Sequence, residues 1–302
     1  KRDWSSDVCS SDLTGGAGFI GSNLIELLLK KTSKKIINID NYSVGIKNNH
    51  INSKRVTYLK EDTLNFNKTF YKIRNKIDVI FHFGEFSRIA QSFKNFEKCF
   101  NSNLKGSYEV IKFCLVNKIK IIYSATSASL GNNQNDQHLS PYAFTKSTNM
   151  NLIVNLNKWF GLNYEIIYFF NVYGPRQIKQ SSMSAVVGIF EEQYLNNKDL
   201  TVVLPGNQTR RFTHVADTVL ACYHAWKKNK NMHYSISSNK SYSIRQIANF
   251  FSNKIKYLNQ RPGERFESRV LKSIRGIKIK NLTSKIDIKK YIKEFVIKNP
   301  LS

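Results

Sequence analysis

Apolar residues in the first half of the chain follow two rhythms. Short runs rich in Ile, Val, Tyr and Phe fall at residues 35–40, 55–59, 77–83, 119–124 and 164–170, and each predicts a strand. Between them, residues 22–31, 96–117 and 141–160 carry apolar side chains at helical spacing, as in Leu24, Leu27 and Leu28 and again in Val110, Ile111 and Cys114. Apolar strands alternating with amphipathic helices are the pattern of βαβ units. The expected fold is therefore α/β, a doubly wound parallel sheet with helices on both faces. After about residue 172 the alternation loosens into mixed segments at 185–196, 200–204, 217–228 and 244–254. This predicts one domain over residues 1–171 and a smaller one over 172–302, parts of which pack back on the first.

Composition narrows the function classes. A chain of 302 residues with 41% hydrophobic and 13% aromatic residues can bury its own core, and no apolar run approaches the ~18 residues of a membrane span. Cys9, Cys99, Cys114 and Cys222 lie far apart with no C-x-x-C pair, so free thiols are expected rather than a disulfide framework or a metal site. No secretion signal opens the chain, and the expected compartment is the cytoplasm. The net charge of +26 raises the question of nucleic acid, but the lysines are scattered, as at Lys34, Lys94, Lys179 and Lys289, rather than forming one stripe. Lys, Asn, Ile, Phe and Tyr are abundant together, as AT-rich codons produce. No nucleic-acid or membrane partner is expected, although the excess charge would attract a small polyanion.

The segment Thr14-Gly-Gly-Ala-Gly-Phe-Ile-Gly21 places Gly15, Gly18 and Gly21 in a G-x-x-G-x-x-G loop running into a helix. Such glycines permit a tight turn, close approach of backbone to a pyrophosphate and close helix packing, while the helix N-terminus supplies N–H donors. Asp40 ends the next strand, where a carboxylate can accept from an adenosine ribose and would repel a 2′-phosphate; this favours NAD over NADP and predicts a Rossmann domain. Residues 1–12, K-R-D-W-S-S-D-V-C-S-S-D, are too polar for the buried strand that should precede this loop. They read as foreign sequence, like a translated sequencing adapter, and the expectation is that they form no central strand.

Tyr142 and Lys146 stand at i, i+4 after Pro141, on one face of a predicted helix, and Ser124-Ala-Thr-Ser127 follows a strand, where open α/β sheets bind ligands. A free phenol ionises near pH ~10, so a tyrosine base needs positive charge beside it, which Lys146 and an oxidised nicotinamide would supply. Thr126 could then hydrogen-bond the oxygen from which the phenolate takes its proton.

These pieces together resemble the NAD-dependent epimerase/dehydratase family of extended short-chain dehydrogenases/reductases, from about Leu13 across nearly the whole chain. The motifs that carry the resemblance include the glycine loop, Asp40-Asn41, Glu61-Asp62, His82-Phe-Gly84, Asn103-Leu-Lys-Gly106, Ser124-Ala-Thr126 and Tyr142-x-x-x-Lys146. Asn171-Val-Tyr-Gly-Pro-Arg176 and Arg261-Pro-Gly-Glu264 follow. The resemblance implies a cofactor set of Gly15, Gly18, Phe19, Ile20, Gly21, Asp40, Asn41, Asp62, Phe83, Gly84, Asn103, Tyr142 and Lys146, with Asp62 at the adenine and Lys146 at the nicotinamide ribose. It makes Tyr142 the base and Thr126 its partner, and it gives a substrate's nucleotide diphosphate to Asn171, Arg210 and Arg261. Arginine forks suit that role.

The activity implied is that of a nucleotide-sugar epimerase working at C4 of a UDP-hexose through a transient keto sugar, with bound NAD regenerated each cycle. The alternatives are a dehydratase or reductase of the same family and a non-catalytic NAD-binding protein. A homodimer through the 96–117 and 141–160 helices is implied as well. Dehydrating members commonly carry an acid two residues beyond the catalytic Thr, where this chain has Ala128. Other departures are Gly84-Glu85 for the usual Ala-Ala, Tyr168 for an Arg, Arg211 for the Asp of T-R-D-F, and a short loop at 131–140. His82, His214 and His233 lie in or beside apolar runs and are expected in core or supporting roles, and Trp159, Phe160 and Trp226 in the core.

Overall fold

A strand has to run into the glycine turn at Gly15, and in the computed structural model Ser10–Thr14 supplies it in spite of its polarity. The structure describes residues 10–132, 136–252 and 254–300, so Cys9 and the other residues of 1–9 lie outside it. The first half runs β1 (Ser10–Thr14), α1 (Phe19–Lys31), β2 (Ile36–Asp40), β3 (Val56–Lys60), α2 (Phe66–Phe70), β4 (Ile77–His82), α3 (Ile89–Lys94), α4 (Phe96–Phe100) and α5 (Ser107–Val116). Then come β5 (Lys120–Thr126), α6 (Ser127–Leu130), α7 (Pro141–Phe160) and β6 (Tyr164–Phe169). The rest comprises β7 (Val172–Tyr173), α8 (Val186–Leu195), β8 (Leu200–Val203), β9 (Thr209–Arg211), β10 (Thr213–His214) and α9 (Val215–Lys228). It ends with β11 (His233–Ser237), β12 (Ser241–Ser243), α10 (Ile244–Phe251), β13 (Ile255–Leu258), β14 (Ser273–Ile274), β15 (Ile277–Thr283) and α11 (Ile288–Lys298).

The five strands expected from the apolar runs form as β2 to β6. They lie in a nine-stranded sheet ordered β14-β15-β11-β6-β5-β4-β1-β2-β3. Every pairing in it is parallel except that of β14 with β15. Parallel strands are buried on both faces, and two cores result. On one face Phe66, Phe113, Val110 and Ile153 from α2, α5 and α7 pack against Ile80, Ile121 and Ile166. On the other, Leu24 and Leu28 of α1 and Val219 and Trp226 of α9 cover Leu13, Phe81 and Ile122. The chain beyond residue 172 divides: α9, β11 and β15 complete the sheet, while Phe190, Val202, Ile247, Phe251 and Ile292 build a separate core among α8, β8, α10 and α11.

Three expectations are corrected. First, residues 10–12 do form part of a central strand: β1 lies between β4 and β2, with Asp12 opposite Ile80 and Leu13 opposite Asn38. Its polar groups are partly satisfied from within. Asp12 Oδ1 accepts from the Ile37 N–H at 3.0 Å and Oδ2 from Ser10 Oγ at 3.0 Å, while the buried Ser11 hydroxyl has no partner. Second, the helix expected over 96–117 is divided into α4, a wide π-turn at Asn101–Gly106, and α5. A Cβ at Gly106 would collide with the Thr63 hydroxyl, so this turn lies tight against the segment after β3. Third, Trp159 and Phe160 are 64% and 67% exposed, because they end α7 on its outer side just before the left-handed cap at Gly161; Trp226 is buried at 6%.

Burial pushes the Asp12 carboxyl from the ordinary carboxylate range up to about 7, against the pull of its two hydrogen bonds. The folded state thus holds a proton that the unfolded chain releases. This stabilisation is complete below about pH 4 and is lost as pH rises through about 7, amounting to roughly 4 kcal/mol on the alkaline side. Asp12→Asn keeps the side-chain shape and the acceptor oxygen but removes the titration. Denaturant unfolding free energies of the two proteins should converge in acid, with the variant ahead by a few kcal/mol above about pH 8. Parallel curves across that range would disprove it.

Candidate active site

The glycine loop is cramped by its own backbone. A Cβ on Gly15, where φ is +77°, would lie 2.8 Å from the Gly84 amide nitrogen, and one on Gly21 would collide with the Gly15 carbonyl oxygen. Gly18 caps α1 without a side-chain hydrogen bond, no acidic residue occupies the first turn, and Phe19 and Ile20 open the helix. A bare helix N-terminus beside a loop that only glycine can trace fits an anionic diphosphate. Thr14 ties the loop to the end of β4: its Oγ1 accepts from the Phe83 and Gly84 N–H groups at 3.1 and 2.8 Å.

The acidic residues downstream shape the same rim. Asp40 is 7% exposed; its Oδ2 accepts from the Ala17 N–H at 3.0 Å and its Oδ1 from the Tyr42 N–H at 2.9 Å. Burial raises its carboxyl above the ordinary range although both bonds act against this. Each oxygen keeps a second acceptor site. Asn41 and Asp62 come together, with Asn41 Nδ2 donating to Asp62 Oδ2 at 2.8 Å, while Asp62 Oδ1 caps the turn at Leu64. Asn103, in the π-turn, faces inward: its amide donates to Thr145 Oγ1 and the Phe86 carbonyl and accepts from the Phe86 N–H, which links β4's following loop to α7.

The residues of the expected proton transfer gather at the C-terminal end of β5. Ser140 Oγ caps α7 by accepting from the Ala143 N–H, and Pro141 takes the first turn, where its missing N–H is harmless. Tyr142 is thereby held at the helix mouth, with its own N–H given to Ser92 Oγ at 3.2 Å. One turn on, the buried Lys146 ammonium donates to the Ser124 carbonyl at 2.6 Å. Thr126 ends β5, and its Oγ1 accepts from the Ala128 N–H at 3.2 Å, which leaves its hydroxyl proton to give. Ala128 packs with Tyr142, Ala143, Cys99, Phe86 and Ile89, so a methyl group stands where a third acid-base side chain would.

The diphosphate residues are not gathered in the same way. Asn171, at φ +38°, donates to the Arg211 carbonyl. Arg210 donates to the carbonyls of Thr209, Phe266 and Arg265. Arg261 is exposed. The histidines behave as expected: His82 is fully buried between Thr14 Oγ1 and Ser107 Oγ, and burial takes it down to about 4, so it is neutral. His214 caps α9 and His233 meets the Tyr168 hydroxyl.

Three charged groups beside the site were not among the expected site residues. Glu85 pairs with Lys146, Arg88 donates to the Ser87 and Met183 carbonyls near Tyr142, and Arg265 donates to the Ser127 carbonyl next to Thr126 at 2.8 Å. Glu85 carried a signal, as a charged residue in a position that is usually Ala.

Among the described residues no helix is long and apolar enough to cross a membrane, and no group of His, Cys, Asp and Glu could hold a metal ion. The sequence pattern of the NAD dependent epimerase/dehydratase family matches residues 13–237. The "Uncharacterized UDP-glucose epimerase YtcB" of Bacillus subtilis (strain 168) is 32% identical over 224 residues, covering 68% of this chain and 69% of its own. A Bacillus cytotoxicus protein named UDP-N-acetyl-alpha-D-glucosaminuronate decarboxylase is 29% identical over 251 residues, 78% of this chain and 77% of its own. Among solved structures, UDP-N-acetylglucosamine 4-epimerase from Methanobrevibacter ruminantium M1 in complex with UDP-N-acetylmuramic acid superposes with a TM-score of 0.83. It is 27% identical, and the match covers 96% of this chain and 97% of that one. The chain belongs to the NAD-dependent epimerase/dehydratase family, with NAD as its cofactor.

Proposed function

We propose that this enzyme interconverts nucleotide sugars by epimerising C4 of a UDP-hexose. The observation that supports the reading is the end of β5: Thr126 closes the strand, the Lys146 ammonium donates to the Ser124 carbonyl, and Ala128, packed in one cluster with Tyr142, offers a methyl group in place of an acid. Relatives named for UDP-sugar epimerisation support the substrate class.

NAD, when bound, supplies a reversible hydride acceptor. The glycine loop and the α1 N-terminus, with Gly15, Gly18, Phe19, Ile20 and Gly21, would hold its diphosphate. Asp40, Asn41 and Asp62 would take the adenosine end, and Phe83, Gly84, Asn103 and Lys146 the nicotinamide end. Tyr142 receives the proton of the sugar's C4 hydroxyl and later returns it. Thr126 donates its hydroxyl proton to the same oxygen and holds it in line. Because Ala128 cannot donate a proton, the keto sugar keeps its neighbouring hydroxyl and turns over instead of losing water. For the nucleotide diphosphate, the exposed Arg261 offers a fork suited to phosphate oxygens, and Asn171 and Arg210 would join it by giving up the carbonyls of Arg211 and of Thr209, Arg265 and Phe266.

Incubation with NAD and a panel of UDP-hexoses, followed by proton NMR, should give an equilibrium mixture of C4 epimers with no net NADH. A dehydrated or decarboxylated product, or no epimer from any member of the panel, would overturn the reading. Tyr142→Phe should lower turnover by about 10²–10⁴-fold while NAD still binds with near-unchanged affinity. Full turnover in that variant would remove Tyr142 as the base. The exposed Phe96, Tyr108 and Phe144 support a homodimer through α4, α5 and α7, and a monomeric mass in light scattering at micromolar concentration would contradict it.

A further inference from the structure

The scaffold around Tyr142 and Lys146 contains a buried carboxylate that the proposed mechanism does not use. Glu85 follows β4, and its side chain is 1% exposed. Its Oε1 accepts from Ser107 Oγ at 2.8 Å, the Tyr123 hydroxyl at 3.0 Å and Asn149 Nδ2 at 3.1 Å, while Oε2 accepts from the Lys146 ammonium. Those donors come from α5, β5 and α7, so three elements converge on one buried acid. One of the four donors is a cation, and charge-assisted hydrogen bonds of this kind are the strong ones.

This has a consequence for Lys146. Its ammonium lies between Glu85, the Ser124 carbonyl and the face of Tyr123, whose ring centroid is 4.8 Å away. A buried carboxylate at contact distance offsets part of the ammonium's field at the groups around it. The positive charge that a phenol base needs from Lys146 is therefore reduced by Glu85.

We propose that Glu85 is a positioning residue, which fixes the Lys146 ammonium at the end of β5 and tempers its charge, so that proton transfer at Tyr142 proceeds at a higher pH than an unpaired lysine would set. The inference rests on Tyr142 being the base. The other charged and titratable groups around the pair do not take over the role of Glu85. His82 is neutral, Cys99 is a thiol that burial pushes up, and Tyr123 is a phenol held well above its ordinary range by burial. Arg88, on the α3 side, interacts electrostatically with Tyr142 and gives Nε and Nη1 to carbonyl oxygens, so its charge adds to that of Lys146 and does not cancel it.

The test is the pH at which the phenolate absorbance of Tyr142 rises, isolated by subtracting the spectrum of Tyr142→Phe made in the same background. In Glu85→Gln the rise should move to lower pH by about one unit, the effect expected when a cation beside a titrating group loses its counter-charge. Under the proposed function, the pH limb of kcat should move with it while KM for the sugar stays within about twofold. A rise at the wild-type pH in a variant with native circular dichroism would overturn the proposal. If Glu85→Gln fails to fold, Tyr123→Phe serves instead: it strips one donor from the carboxylate, strengthens its hold on Lys146 and should move the rise to higher pH. No movement there would equally overturn it. The spectrum needs no sugar, so a moved rise without epimerisation sinks the functional reading alone, and epimerisation with an unmoved rise sinks the role of Glu85 alone.

Discussion

The site depends on the hydroxyl of Thr14. Its oxygen receives the Phe83 and Gly84 N–H groups and meets His82 Nδ1 at 2.7 Å, so the end of β1 and the end of β4 cannot separate. From His82 the contacts continue without a gap through Ser107 and Glu85 to Lys146 and the Ser124 carbonyl. A diphosphate cradle on one side and a proton-transfer group on the other are thus joined by one buried polar line. Each member is satisfied by its neighbours, which is the condition under which such a network rigidifies a site. A neutral His82 suits this line, because a charged imidazole would compete with Lys146 for Glu85.

The same economy explains why the acidic residues of the rim face inward. Asp40 fixes the turn at Ala17 and the strand exit at Tyr42 before any ligand arrives, and the Gly45 backbone packs against its carboxylate. Asp62 and Asn41 orient each other. Preorganisation of this kind lowers the entropy lost on binding, since the loop is already held by its own contacts.

Much of this was legible in the residue pattern. The apolar runs gave β2 to β6, and Gly15, Gly18 and Gly21 gave the loop, because burial on both faces and a cramped turn leave few residue types free. The first strand was not legible: Ser-Ser-Asp-Leu-Thr has no apolar signature, and its place follows from chain connectivity to Gly15, with the Asp12 carboxyl pushed up to about 7 by burial. Nor did helical spacing reveal the π-turn around Asn103, since one extra residue barely disturbs an apolar stripe. Trp159 and Phe160 misled because an aromatic pair at a helix end looks the same in sequence whether it faces the core or the solvent. Glu85 was visible as a departure, but its partners Ser107, Tyr123 and Asn149 lie 22, 38 and 64 residues away and meet it only in three dimensions.

The re-entry of the chain into its own sheet bears on how it can be divided. β11 pairs with β6 from Ile166 to Phe169, and β15 pairs with β11 along its full length. A chain cut near residue 171 would leave β6 as an outer strand with a row of unpaired amides and an apolar face stripped of α9. Such an edge templates the addition of strands from other copies. The nucleotide-binding half is therefore protected from self-association by segments that follow it in the chain, and a nascent chain exposes that edge until residues 233–283 emerge.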